Sequence, residues 1–135
     1  VVFGDGEQIR DFIHVSDVVE LHNKVLFTNY ADGEIINVGT GIGTTMKNLA
    51  QAGCSIKPSN LTPIHEQVNE GEFSKFIDGK KRNIHELGTM LLSVDKAKML
   101  LDWEPTVSLQ EGLYRTYLWA KRNPGRWSKI FSTRW

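Results

Sequence analysis

The 135 residues, 15.3 kDa, carry 16 lysines and arginines against 16 aspartates and glutamates, with 40% hydrophobic residues and twelve glycines. That size fills one ordinary domain, which can build a core without metal or disulfide staples. A net charge of zero supplies no field to draw in a polyanion, which sets aside nucleic acids and membrane surfaces as partners.

Cys54 is the one cysteine, so no intrachain disulfide framework exists and a reducing cytoplasm is the expected compartment. No apolar run approaches the roughly 18 residues that a membrane helix needs. The chain opens on Val1-Val2-Phe3, an apolar start without an initiator methionine that reads as mid-strand and suggests truncation. The turn Gly4-Asp5-Gly6 follows, then an extended piece through Phe12, Ile13 and Val15. Ser16 is the expected N-cap of a helix over about 17–28, in which Val18, Leu21, Val25 and Leu26 recur at three- and four-residue spacing. Ile35-Ile36-Asn37-Val38 predicts a short β-branched strand, and the glycines at 39, 41 and 43 lead into a second helix over about 45–52.

Residues 53–88 show no sustained period and predict short strands and long loops. A strand is expected over 89–92, and Ser93 should cap a helix over 94–101 that Trp103-Glu104-Pro105 ends. Ser108 and Glu111 have capping-box spacing, and Leu109, Leu113, Thr116/Tyr117 and Ala120 continue it as the last helix, stopping near Asn123-Pro124-Gly125. The expected organisation is one domain over 1–125 and a tail over 126–135.

Three patterns resemble catalytic or binding motifs. The glycines at 39, 41 and 43 stand between a strand and a helix as a dinucleotide-phosphate loop would, but the third comes one residue early, and Pro58 stands where an acid for the ribose belongs. Tyr117 and Lys121 have YxxxK spacing, yet Tyr117 shares a helix face with Leu109 and Leu113, which favours a packed aromatic beside a solvated lysine. His14, His22, His65 and His85 include no pair at metal-ligand spacing, and no glycine-flanked serine elbow is present. The opening GDGEQIRDFIHVSDV is more informative. Arg10 on a strand edge could offer a planar fork to phosphate, or it could form a salt bridge with Asp11. The cluster Lys80-Lys81-Arg82 with His85-Glu86 could add a cation and a hydroxyl-accepting carboxylate, or be a solvated loop.

GDGEQIRDFIHVSDV, then GEIINVGTGIGTT, then LLSVDKAKMLLDWEPTVSLQEGLYRTYLWAKRNP, in that order, resembles the C-terminal part of the NAD-dependent nucleotide-sugar epimerases and dehydratases, the extended short-chain dehydrogenase/reductases that include UDP-glucose 4-epimerase. These motifs cover about half of the chain. The resemblance implies an α/β fold with short strands and about four helices, lacking the Rossmann half that holds NAD in the family. It implies that Val1 and Phe3 lie against a nucleobase and that Arg10 meets the diphosphate and ribose. It further implies that Arg82 and Glu86 carry the arginine–acid motif whose acid binds ribose hydroxyls. Spacing from Trp103 puts that arginine at Asn83, one position from Arg82, and Met90 stands where some members place a nucleotide-contacting tyrosine. The family's NAD loop and catalytic tyrosine–lysine helix would belong upstream of Val1, so no catalytic residue and no cofactor site is expected in this chain. The expected partner is a nucleotide-sugar, together with a missing Rossmann half or a second copy in a homodimer. The alternative is a free-standing interaction or oligomerisation module derived from the same domain.

Overall fold

The computed structural model describes residues 1–56, 61–84 and 86–126. The elements run β1 (Val2–Phe3), β2 (Ile9–Asp11), α1 (Val15–Leu26), β3 (Gly43–Thr45), α2 (Met46–Ser55), β4 (His65–Glu66), β5 (Thr89–Met90), α3 (Asp95–Leu101) and α4 (Leu109–Arg122). This is the small α/β fold with short strands that the sequence predicts. β1 pairs in parallel with β4, while β2 lies between antiparallel β3 and parallel β5. The opening strand is therefore paired along one edge.

The core is small: Leu21, Ala31, Ala97, Leu101 and Trp103, with Ile13, Ile36, Val38 and Leu100 packed around it. Trp103 is 1% exposed and shares this cluster with Leu21 of α1. The Asp17 carboxylate, also 1% exposed, accepts from the Thr106 hydroxyl at 3.0 Å and the Val107 amide at 3.1 Å, tying the segment after Trp103 to the first turn of α1. At the other end of α1, Lys24 Nζ donates to the Leu101 and Asp102 carbonyls at 3.4 and 3.0 Å, satisfying acceptors that the end of α3 leaves open. On the surface, the Glu104 carboxylate holds the Lys98 ammonium above its ordinary range by a hydrogen bond and by charge.

Local physics decided most helix boundaries. Ser108 caps α4 by accepting from the Glu111 amide at 3.2 Å, but the Glu111 carboxylate turns outward to Arg115 Nε at 2.7 Å, so the capping box closes on one side only. α1 starts two residues earlier than expected. His14, not Ser16, is its N-cap, because Nδ1 accepts from the Ser16 amide at 3.2 Å while the Ser16 hydroxyl lies 2.8 Å from the same nitrogen. α3 begins at Asp95 with Val94 as its cap residue; Ser93 is one position earlier, but its hydroxyl accepts from the Asp95 amide at 3.4 Å and donates to the Asp95 side chain at 2.8 Å. α2 runs to Ser55, beyond the expected end at 52.

Two expectations fail. Residues 35–38 are not a strand: Ile36 and Val38 turn toward the core and Ile35 outward, but no strand among the described residues runs beside them to complete a ladder. The helix positions Val25 and Leu26 are exposed and not buried, so α1 buries only a narrow face centred on Leu21. Of the tail expected from 126 onward, all but Arg126 lies outside the described residues, as do Pro58 and His85.

Candidate functional site

The opening turn is built on two glycines with positive φ, +66° at Gly4 and +76° at Gly6. At Gly4 a Cβ would stand 3.3 Å from Nη1 of Arg82, so the missing side chain lets that guanidinium lie on the turn. At Gly6 a Cβ would stand 2.7 Å from Val2, which fixes glycine there. The turn also feeds α2: the Gly6 and Gln8 carbonyls accept from the Lys47 and Met46 amides, both at 3.0 Å.

Arg82 reaches this turn from the loop between β4 and β5. Its Nη1 donates to the Val68 carbonyl at 2.8 Å and its Nε to Oε2 of Glu86 at 3.2 Å, an i,i+4 ion pair with both side chains largely covered. Gln8 Nε2 donates to the same Oε2 at 3.2 Å and to the Phe3 carbonyl at 3.4 Å. Oε1 of Glu86 accepts no bond among the described residues. Val1, Phe3, Gln8 and Glu86 line one cleft of about 270 Å³, closed by Met46 and Leu49 of α2. Four of the five residues the sequence singles out are thus gathered at one place, with Arg82 tied to the cleft through Glu86.

Arg10 stands apart, at the centre of β2, with Thr44 of β3 and Met90 of β5 as its cross-strand partners. Its Nη1 donates to its own neighbour, the Ile9 carbonyl, at 2.7 Å. The salt bridge with Asp11 does not form. The Asp11 carboxylate accepts instead from the Thr40 amide at 2.8 Å, the Thr40 hydroxyl at 2.5 Å and the Gly41 amide at 2.9 Å. Among the described residues Arg10 therefore has no carboxylate partner, whereas Arg82 is neutralised by Glu86.

Asp11 also decides the glycine loop. The Thr40 and Gly41 amides that would cradle a phosphate are on its carboxylate, and the loop enters β3 before any helix starts. The first amides of α2 are taken as well, by Gln8, Gly6 and the Thr45 hydroxyl. The loop does not fit the diphosphate of NAD, and no step of hydride transfer is assigned to it. On α4, Tyr117 is half-buried and Lys121 exposed, with no hydrogen bond joining them. Of the histidines, His14 caps α1, His22 Nδ1 donates to the Val18 carbonyl at 2.7 Å, and His65 Nδ1 donates to the Gly4 carbonyl at 3.2 Å.

Gln8 was not legible as part of the site. Its one sequence signal is the strand period of two, which puts it on the same side as Arg10; nothing local points to Glu86, 78 positions away.

An apolar wall and a carboxylate oxygen left open make the cleft suited to holding a polar ligand, with Arg10 apart from it on β2 and, among the described residues, no nucleophile and base in contact. The sequence pattern described as GDP-mannose 4,6 dehydratase matches residues 1–116. The chain belongs to that family, among the NAD-dependent nucleotide-sugar epimerases and dehydratases. It is 34% identical over 124 residues to a UDP-glucuronate 4-epimerase of Thermodesulfobacterium geofontis, covering 90% of this chain and 33% of that protein. The structure of an epimerase from Methanothermobacter thermautotrophicus superposes with a TM-score of 0.72 at 30% identity, over 95% of this chain and 34% of the other. A UDP-glucose 4-epimerase from Thermotoga maritima, solved with UDP-glucose, gives 0.70 at 32% identity over 91% and 35%. The chain thus spans about a third of the length of the relatives it matches.

Proposed function

We propose that this chain is the nucleotide-sugar-binding portion of an NAD-dependent epimerase or dehydratase, positioning the substrate and not transforming it. In this reading Arg10 meets the diphosphate, Oε1 of Glu86 takes ribose hydroxyls, and Val1 and Phe3 face the base, with Arg82 fixing Glu86. The observation that carries it is the difference between the two arginines. Arg82 gives Nε to Glu86 and Nη1 to Val68, while among the described residues Arg10 keeps Nε and Nη2 uncommitted on a rigid strand, the state in which a guanidinium grips phosphate bidentately. Membership of the family supports the substrate class, as does the relative solved with UDP-glucose. Titrating uridine, guanosine and thymidine diphosphates into the labelled chain by NMR tests it. Binding that disappears in Arg10→Ala is expected; equal affinity in that variant rejects the assignment.

A second reading, an interaction or oligomerisation module, is favoured by one feature. Between the ends of α1 and α3 runs a groove of about 580 Å³ whose walls include Phe27, Tyr30 and Met99, exposed by 88, 78 and 75%. Apolar surface of this kind on soluble proteins usually meets a partner, here a second copy or a Rossmann half. Size measurement with and without nucleotide separates the readings.

A further inference from the structure

Glu86 is held from two directions that differ in kind. Arg82 comes from the same loop, four residues before it, so their ion pair fixes the loop to itself. Gln8 comes from the opening segment and is the one side chain there that bonds Glu86, so it alone fixes the carboxylate to the β1 wall of the cleft. Both hydrogens of Nε2 go to protein acceptors, the Phe3 carbonyl and Oε2 of Glu86. That sets the direction of the carboxamide, because the reversed amide would aim Oε1 at two acceptors. In the orientation adopted, Oε1 is shut away from solvent and has no partner among the described residues. Folded chains rarely keep a buried acceptor unpaired, so the orientation of this amide is set by its two donated bonds and not by Oε1.

We infer that Gln8 is a positioning residue. It pins Oε2 of Glu86 so that Oε1 is presented to a ligand donor, and it thereby sets the preference of the cleft for a ribose over a deoxyribose. This rests on the reading of Glu86 given above. Removing the Gln8 donor leaves Glu86 tethered to its own loop alone, free to turn its open oxygen away from the wall.

The experiment has two arms, chosen so that they fail separately. In ligand-free, ¹⁵N-labelled chain, Glu86→Gln should move the Gln8 side-chain amide resonances and quicken their solvent exchange; unmoved resonances overturn the contact and with it the inference. In the second arm, uridine and guanosine diphosphates and their 2′-deoxy forms are titrated into wild type, Glu86→Gln, Gln8→Met and the double variant. The parent chain should prefer the ribose forms by about tenfold, the scale of one hydrogen bond to a charged group. Each single variant should bring the two sugars within about twofold, and the double variant should go no further, as expected when two residues act as one unit. A ribose preference that survives Gln8→Met but is lost in Glu86→Gln overturns the role of Gln8 alone. A wild type that binds neither nucleotide, or both sugars equally, overturns the reading of Glu86 as the ribose acceptor, whatever the first arm shows of the contact.

Discussion

A Cβ on Gly39 would stand 2.5 Å from Oδ2 of Asp11. The carboxylate occupies the space that the glycine leaves, and from there it gathers the Thr40 amide and hydroxyl and the Gly41 amide. The Asn37 to Gly41 stretch is therefore architecture, a loop strapped to β2. Asp11→Ala should cost about 2–4 kcal/mol, since charge-assisted bonds are lost and two amides are left unpaired. Gly39→Ala should cost about 1–3 kcal/mol by overpacking. Because both act on one contact, the double variant should fall short of the sum, which urea denaturation of the four chains measures.

A second strap joins Asp17 to the segment that follows Trp103. Trp103→Ala empties the largest part of a small core and should cost about 3–5 kcal/mol, enough to remove the cooperative melting transition of so small a unit. Trp103→Phe should be milder than its lost volume suggests, because Nε1 has no partner among the described residues to lose. Asp17→Ala strands the Val107 amide and the Thr106 hydroxyl and should cost about 2–4 kcal/mol, against about 1 kcal/mol for Thr106→Val. Calorimetry of the four variants checks the order.

The two arginines should separate cleanly. Arg10→Ala loses only a bond to its own neighbour, so its stability should stay within about 0.5 kcal/mol of wild type while nucleoside diphosphate affinity vanishes. Arg82→Ala removes the partner of Glu86 and the link to Val68, so it should lower both stability and affinity. Equal stability losses in the two variants would contradict the difference in their surroundings.

Self-association is expected to follow the exposed groove. Sedimentation equilibrium over a hundredfold range of concentration should show a dimer, the commonest closed arrangement of identical chains, and Phe27→Ser with Met99→Ser should shift it to monomer. A monomer throughout, with a melting transition independent of concentration, would count against the interaction-module reading.

Turnover is the last test. Supplied with NAD and UDP-, GDP- or dTDP-sugars, this chain by itself should produce no epimer and no keto product, because the amides of its glycine loop are already on Asp11. Measured turnover would return Tyr117 and Lys121 to consideration.

How much of this was legible before the fold depends on how far apart the interacting groups lie in the chain. The last helix could be read from Ser108 and the spacing of Leu109, Leu113 and Tyr117, because capping and amphipathic period act within a few residues. The Gly4-Asp5-Gly6 turn was equally local, as was the four-residue spacing that lets Arg82 meet Glu86. The strand Gly43–Thr45 had no such signal: two threonines and a glycine become a strand only because β2 offers an edge. Residues 35–38 show the converse, a strong β pattern that stays outside any sheet, since a ladder needs a neighbour and propensity supplies none. The residue types at the cleft could be named from the sequence, but not how they are joined. Asp11 turning from Arg10 to the glycine loop and Gln8 bridging Phe3 to Glu86 are contacts across 29 and 78 positions. Only the packing of the elements against one another brings such groups within hydrogen-bond reach.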